Sequence, residues 1–91
     1  MDLYTKNGRP LQVSGNTVYS KSGKVVGRIR GDKVFGTNGG YVGTIVNDRL
    51  VYRSTQRAAI SSPFSAANRA GTARANRVGS AIWGEEPDIP D

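Results

Sequence analysis

Arginine is the residue type in this chain with the clearest potential for chemistry, because its guanidinium binds phosphates and carboxylates. Residues 49–84 contain six arginines and no acidic residue. Such a basic excess can attract a phosphate backbone or an anionic lipid surface. The alternative is a solvated surface over which the acidic tail, residues 85–91, folds back. The candidate anion or nucleic-acid contacts are Arg57, Arg69, Arg74 and Arg77.

Other chemistry has little support in the composition. The 91 residues contain no cysteine and no histidine, which removes thiolate ligands, cysteine nucleophiles and the commonest general base. Asp32 and Asp48 lie in turn sequences, where aspartate is favoured for its backbone hydrogen bonds. The acidic tail lacks the ligand spacing of an EF-hand. We therefore expect no catalytic, metal-binding or cofactor-binding residues, and a protein that is not an enzyme.

The length of the chain predicts one small domain over residues 1–91. No apolar stretch approaches the ~20 residues that span a bilayer. The N-terminus lacks the basic and apolar regions of a signal peptide, so we expect a cytoplasmic location.

The first half of the chain repeats one pattern: an aliphatic and an aromatic residue, a turn dipeptide, and an aliphatic residue seven places after the aromatic. The aromatic residues are Tyr4, Tyr19, Phe35 and Tyr52. The turn dipeptides are Asn7-Gly8, Ser22-Gly23 and Asn38-Gly39. Asn-Gly favours two-residue type I′ turns, so we predict β-hairpins over residues 2–16, 17–32 and 33–48. Such turns would place Tyr4 opposite Leu11, Tyr19 opposite Val26 and Phe35 opposite Val42.

A fourth unit starts at residues 49–54 but lacks a turn dipeptide. The Val78-Gly79 pair matches Val26-Gly27, which predicts that residues 77–84 form the returning strand. Residues 55–76 would then interrupt the hairpin. Within this insert, Ser62-Pro63 is typical of a helix start and predicts a helix over residues 64–70; a mobile loop is the alternative. On a longer helix Arg69 and Arg77 would broadly share a face, with Arg74 offset from both.

Two recurring sets of residues have a structural and a functional interpretation. The aromatic residues could form a ligand-stacking ring, but their predicted aliphatic partners favour a hydrophobic layer. Gly27, Gly43 and Gly79 recur at one level and indicate close approach of backbones near a shared axis, whereas the first unit has Gln12 there.

These turns, the Val-Gly pairs and the Trp-Gly-Glu-Glu-Pro ending at residues 83–87 resemble the bacterial four-fold β-flower domain family. The resemblance implies an all-β fold of four hairpins around a pseudo-four-fold axis, the last interrupted by a partly helical or loop insert. It implies no established activity and no catalytic residues. We expect a small non-enzymatic interaction or structural module whose partner is another protein or a second copy of itself. The alternative is an accessory nucleic-acid-binding protein that uses residues 49–77.

Overall fold

In the computed structural model, which describes residues 2–90, seven short strands follow one another in the sheet. Successive strands pair in antiparallel fashion, and the last pairs with the first in parallel, which closes the sheet into a barrel. Asp91 of the predicted acidic tail lies outside the described residues. The strands are β1 (Leu3–Thr5), β2 (Pro10–Ser14), β3 (Thr17–Tyr19), β4 (Val25–Arg30), β5 (Lys33–Phe35), β6 (Tyr41–Val46) and β7 (Arg49–Val51).

Three hairpins form, β1–β2, β3–β4 and β5–β6, but their turns are longer than predicted. In each loop the glycine N–H donates to the carbonyl oxygen three residues earlier, as Gly23 does to Ser20 at 3.0 Å. The glycine is left-handed, with φ of 96° at Gly23, whereas Ser22 before it does not have positive φ. This is the three-residue loop in which a type I turn precedes a left-handed glycine. The predicted two-residue type I′ turns, which need positive φ at both central positions, are therefore wrong.

The extra loop residue shifts the register of the strand pairs near each turn. Tyr4 lies opposite Pro10 and Tyr19 opposite Val25, not opposite the predicted aliphatic partners one residue further on. Beyond these pairs, β3–β4 and β5–β6 each contain a β-bulge, which returns them to the predicted register. The first hairpin has no such bulge, so Leu11 rather than Gln12 lies opposite Leu3.

The barrel interior is filled by one aliphatic residue from each of the strands β1, β3, β5 and β7, all with 0% exposure: Leu3, Val18, Val34 and Leu50. Leu11 and Val26 complete the buried cluster. Burial of a side chain of this size stabilises the fold by about 1.5–3 kcal/mol. Val51 has in β7 the position that Tyr19 has in β3 and Phe35 has in β5. The strand pairing shows this, because Val51 lies opposite Thr44 of β6 in the same way as Phe35 lies opposite Arg28 of β4. Tyr52 is therefore not the fourth member of the aromatic set.

Two of the recurring glycines lie where a strand passes unusually close. A Cβ on Gly27 would overlap the carbonyl oxygen of Phe35, and a Cβ on Gly43 would lie 2.9 Å from Leu50 Cδ1. The close approach predicted for Gly79 is wrong, since a Cβ there would be in ordinary contact with Asn7 at 3.7 Å.

The predicted fourth hairpin, residues 49–54 paired with 77–84, is wrong. Strand β7 uses one edge to pair with β6 and the other to pair with β1, so neither edge is open to residues 78–83. Val78 instead has 85% of its surface exposed. One backbone bridge, between Tyr52 and Glu85, joins the returning chain to the residue after β7.

The predicted helix over residues 64–70 is also wrong. Within residues 2–90 the helical structure is one 3₁₀ turn, Ser54–Gln56, and residues 57–82 run on without repeating helix or strand. Six of their backbone N–H groups donate to residues of the hairpin turns, as at Arg69, which donates to the Gly23 carbonyl oxygen at 2.8 Å. No helix in the described part of the chain is long and apolar enough to cross a membrane.

Candidate functional site

Most of the predicted insert, residues 55–76, belongs to an extended segment, residues 57–82, which we call the strap. The strap crosses the turns of the three hairpins at one end of the barrel. The strap passes over the third hairpin first, then the second, then the first. Beyond its end, Glu85 pairs with Tyr52, the residue that follows β7. The strap therefore meets the three hairpin turns in the reverse of their order along the chain.

Each turn holds the strap by the same two backbone hydrogen bonds. In the first bond, a backbone N–H of the strap donates to the carbonyl oxygen of the turn glycine. In the second bond, the N–H three residues further along the strap donates to the carbonyl oxygen of the residue two places before that glycine. The first bonds are Ser61 to Gly39, Arg69 to Gly23 and Arg77 to Gly8, each 2.8 Å. The second bonds are Phe64 to Thr37 at 3.0 Å, Thr72 to Lys21 at 2.8 Å and Ser80 to Lys6 at 2.8 Å. The period along the strap is eight residues throughout.

A repeat of the same period is visible in the strap sequence, but the hairpin pattern does not point to it. Residues 67–72 read Ala-Asn-Arg-Ala-Gly-Thr and residues 75–80 read Ala-Asn-Arg-Val-Gly-Ser. The Arg69–Arg77 spacing of eight residues also fits a shared face of a helix, which is the prediction made from the sequence alone. In the structure the same spacing is the distance along an extended chain from one hairpin turn to the next.

The turn glycines bring the strap into direct backbone contact. A Cβ on Gly23 would overlap the carbonyl oxygen of Arg69, and one on Gly8 would overlap that of Arg77. Glycine at the third loop position is thus required twice, by its left-handed φ and by the strap above it.

The candidate arginines are mostly engaged within the chain. Arg69 lies over the Tyr19 ring with its Cζ 5.2 Å from the ring centroid, and Arg77 lies over Tyr4 at 4.8 Å. Arg77 also pairs with Asp48 at 2.6 Å. Such stacking contributes about 0.5–1 kcal/mol at exposed positions. Each of these two arginines thus fastens the strap to the aromatic residue of the hairpin beneath it.

Arg74 also lies over Tyr4, with its Cζ 5.0 Å from the ring centroid, and it has polar contacts of its own. Arg74 donates to the carbonyl oxygens of Leu3 at 3.2 Å and Leu11 at 2.8 Å, and it pairs with Asp2 at 3.4 Å. Its Nε is buried and has no hydrogen-bond partner among residues 2–90. Arg57 is exposed, directly after the 3₁₀ turn. The structure therefore brings Arg69, Arg74 and Arg77 onto the ring of turns and leaves Arg57 at the start of the strap.

The Trp-Gly-Glu-Glu-Pro segment fastens the chain after the strap. Trp83 lies under the Arg53 guanidinium at 3.9 Å, and Glu85 exchanges two backbone hydrogen bonds of 2.8 Å with Tyr52. Pro87 is buried, and Ile89 packs against the barrel core. The tail returns to the first hairpin rather than folding over the arginines of residues 49–77, since Glu86 pairs with Arg9.

Glu86 is the polar centre of this tail contact. Its carboxylate accepts hydrogen bonds from the Thr5 hydroxyl at 2.8 Å, the Asn7 backbone N–H at 2.8 Å and Arg9 Nε at 2.6 Å. All three donors belong to the first hairpin and its loop. The carboxylate thereby holds the tail and the turn as one unit.

Replacement of Glu86 by Gln should lower the free energy of unfolding by about 1–2 kcal/mol, because charge-assisted hydrogen bonds to Thr5 and Arg9 are lost. The matched control is Glu85→Gln, since Glu85 is exposed and contacts Tyr52 through its backbone. We expect that control to stay within about 0.5 kcal/mol of the parent. Urea unfolding followed by Trp83 fluorescence measures both; equal midpoints for the two variants would contradict the assignment.

Two grooves flank the strap. The first has a volume of about 440 Å³ and is lined by Arg9, Lys21, Ser22, Gly71, Thr72 and Asn76. The second, of about 450 Å³, is lined by Arg30, Phe35, Ile60, Ser61 and Ser62. Within residues 2–90 no three acidic side chains lie close enough together to hold a metal ion.

The fold and the strap together define the class of protein. It is a small all-β domain in which repeated hairpins and one closing strand form a barrel, with an extended segment across the hairpin turns. Residues 1–83 match the family described as 4-fold beta flower protein. The chain belongs to this family, which confirms the resemblance found in its sequence. No curated protein and no solved structure matches the chain.

Proposed function

We propose that this protein is a small non-enzymatic interaction or structural module of the bacterial cytoplasm, and that it contacts its protein partner through the strap. The observation that carries the proposal is the placement of the exposed large apolar side chains. Ile60, Val78 and Trp83 are 80%, 85% and 58% exposed. Each lies on the strap or directly after it, whereas the aliphatic residues of the strands are buried or half-buried.

The closed sheet supports side-chain contact as the mode of binding. Every strand from β1 to β7 has a neighbour on both sides, so a partner has no open strand edge to extend. Burial of exposed apolar side chains on association is favourable by about 25 cal/mol per Å² before the entropic cost of binding. The strap offers such side chains on a backbone that is already held in place by the turns.

The test is affinity capture from bacterial lysate with quantitative mass spectrometry, using the full chain and the double variant Ile60→Ser/Val78→Ser. A matched control, Ser14→Ala/Asn16→Ser, changes two exposed residues at the opposite end of the barrel. We expect the parent and the control to capture the same proteins and the strap variant to lose at least about tenfold, roughly 1.4 kcal/mol. Identical capture by all three folded proteins would overturn the proposal.

The nucleic-acid alternative makes a separate prediction. Three of its four candidate arginines already stack on tyrosines or pair with aspartates, so we expect affinity for generic duplex DNA to be weaker than about 10⁻⁴ M at physiological salt. A salt titration by fluorescence anisotropy measures this. Binding that tightens steeply as salt falls, and is lost in Arg57→Gln/Arg69→Gln but retained in Lys33→Gln, would favour the alternative.

A further inference from the structure

The three hairpin turns bind the extended strap with the same backbone geometry. Each turn presents two carbonyl oxygens to the strap at the same spacing, and each accepts N–H groups three residues apart. At the turns of the first and second hairpins, a tyrosine also lies beneath an arginine of the strap. The segments that these two turns hold read Ala-Asn-Arg-x-Gly-Thr/Ser, with x at residues 70 and 78.

We propose that these turns bind the strap of a second copy of the chain, so that two copies exchange residues 60–90 and form a dimer. This inference goes beyond the proposed function, because it concerns the backbone hydrogen bonds between strap and turns rather than the exposed side chains of the strap. Exchange of an identical element between copies preserves the contacts of the closed monomer, which makes it a low-cost route to a dimer.

The strap is suited to leave its own barrel because it contributes little to the core. The fully buried cluster consists of residues from β1 to β5 and from β7, with no member from residues 57–82. From the exchanged segment, the tail supplies Ile89, which packs against that cluster from outside it. The strap is held instead by backbone hydrogen bonds and by arginine stacking at the surface.

A second copy fits the turns better than an unrelated peptide, because the strap carries the matching sequence at the matching period. The interval of eight residues reaches from one turn to the next, and Arg77 meets Asp48 of the barrel at 2.6 Å. In an exchanged dimer the same ion pair would join two chains. Residues 57–59 are the hinge, since they are exposed or half-exposed and lie between the 3₁₀ turn and the first strap bond.

Concentration decides between the two forms. A strap tethered to its own barrel has an effective concentration on the order of millimolar. Exchange therefore requires concentrated protein, or refolding of a mixture in which both straps start free.

Cysteine pairing tests the proposal, because the natural chain contains no cysteine. A Cβ on Gly79 would lie 3.7 Å from the Cα of Asn7, which suits a disulfide. The double variant Asn7→Cys/Gly79→Cys should close within one chain at low concentration. The single variants Asn7→Cys and Gly79→Cys, carried on chains of different length, are mixed, denatured, refolded together at high concentration and then oxidised.

If the strap exchanges, the yield of disulfide between the Asn7→Cys chain and the Gly79→Cys chain should be at least about tenfold higher than the yield between a Ser14→Cys chain and the Gly79→Cys chain. Ser14 is exposed at the opposite end of the barrel and serves as the matched control. Mixed disulfide at the control level, with closure of the double variant, would place the strap in its own chain and overturn the proposal. Failure of the double variant to close would overturn it too. Neither result changes the lysate test, in which strap side chains contact a different protein.

Discussion

Substitution of Gly23 by Ala should release the strap from the second hairpin, whereas substitution of Gly31 by Ala should not. Both glycines are left-handed, with φ of 96° and 63°, so both substitutions carry a backbone cost of about 1–2 kcal/mol. A Cβ on Gly23 also overlaps the carbonyl oxygen of Arg69, but a Cβ on Gly31 meets nothing within 4 Å. Loss of the two strap bonds at this turn adds about 1–3 kcal/mol to the first variant alone.

Two measurements separate these variants. Urea unfolding reports the total cost, and limited trypsin digestion reports how often the strap leaves the turns, because it contains Arg69, Arg74 and Arg77. We expect Gly23→Ala to be cut in the strap at least about tenfold faster than Gly31→Ala, which is roughly 1.4 kcal/mol of local opening. Equal cleavage rates and equal midpoints would contradict the contact between strap and turn.

Substitution of Leu50 by Ala should lower the free energy of unfolding by about 2–5 kcal/mol. Leu50 has 0% exposure, belongs to the buried cluster and lies in the strand that closes the barrel. A Cβ placed on Gly43 would lie 2.9 Å from Leu50 Cδ1, so the Leu50 side chain fills the space that the missing side chain of this glycine leaves. A small domain has about 5–15 kcal/mol of total stability, and this single change removes a large part of it.

Val78→Ala is the matched control for the core substitution, since Val78 is aliphatic and 85% exposed. We expect it to change the free energy of unfolding by no more than about 0.5 kcal/mol. Thermal or urea unfolding of both variants gives the comparison. A larger loss for Val78→Ala than for Leu50→Ala would contradict the exposed position of Val78 and favour the predicted strand over residues 77–84.

The all-β fold and the first three hairpins could be predicted from local sequence. Each hairpin depends on a turn dipeptide and on aliphatic residues at fixed distances from it, and both signals lie within about fifteen residues of chain. The turn length was predicted incorrectly because Asn-Gly also fits a type I turn followed by a left-handed glycine. Gly8 supplies the one positive φ that this loop needs, and Asn7 supplies none.

The strap could have been found from its repeated Ala-Asn-Arg motif, but its conformation could not. Ser62-Pro63 and the alanine-rich composition favour a helix locally, and the resulting prediction was wrong. The hydrogen-bond partners of the strap lie about 20 to 70 residues away along the chain, as for Arg77 and Gly8. A local pattern contains no information on such partners.

Val78-Gly79 shows the same limit for strand pairing. The pair resembles Val26-Gly27, yet one edge of β7 pairs with β6 and the other with β1. The closed sheet therefore leaves no edge of β7 open to another strand. The sequence by itself determined where the chain turns, which side chains are apolar enough to be buried, and which family the chain belongs to. The tertiary structure alone decided that the sheet closes and that the strap lies across the hairpin turns. The physical reason is that unpaired strand edges and backbone N–H groups take whichever partner the rest of the fold brings near them, so their pairing is a property of the assembled chain.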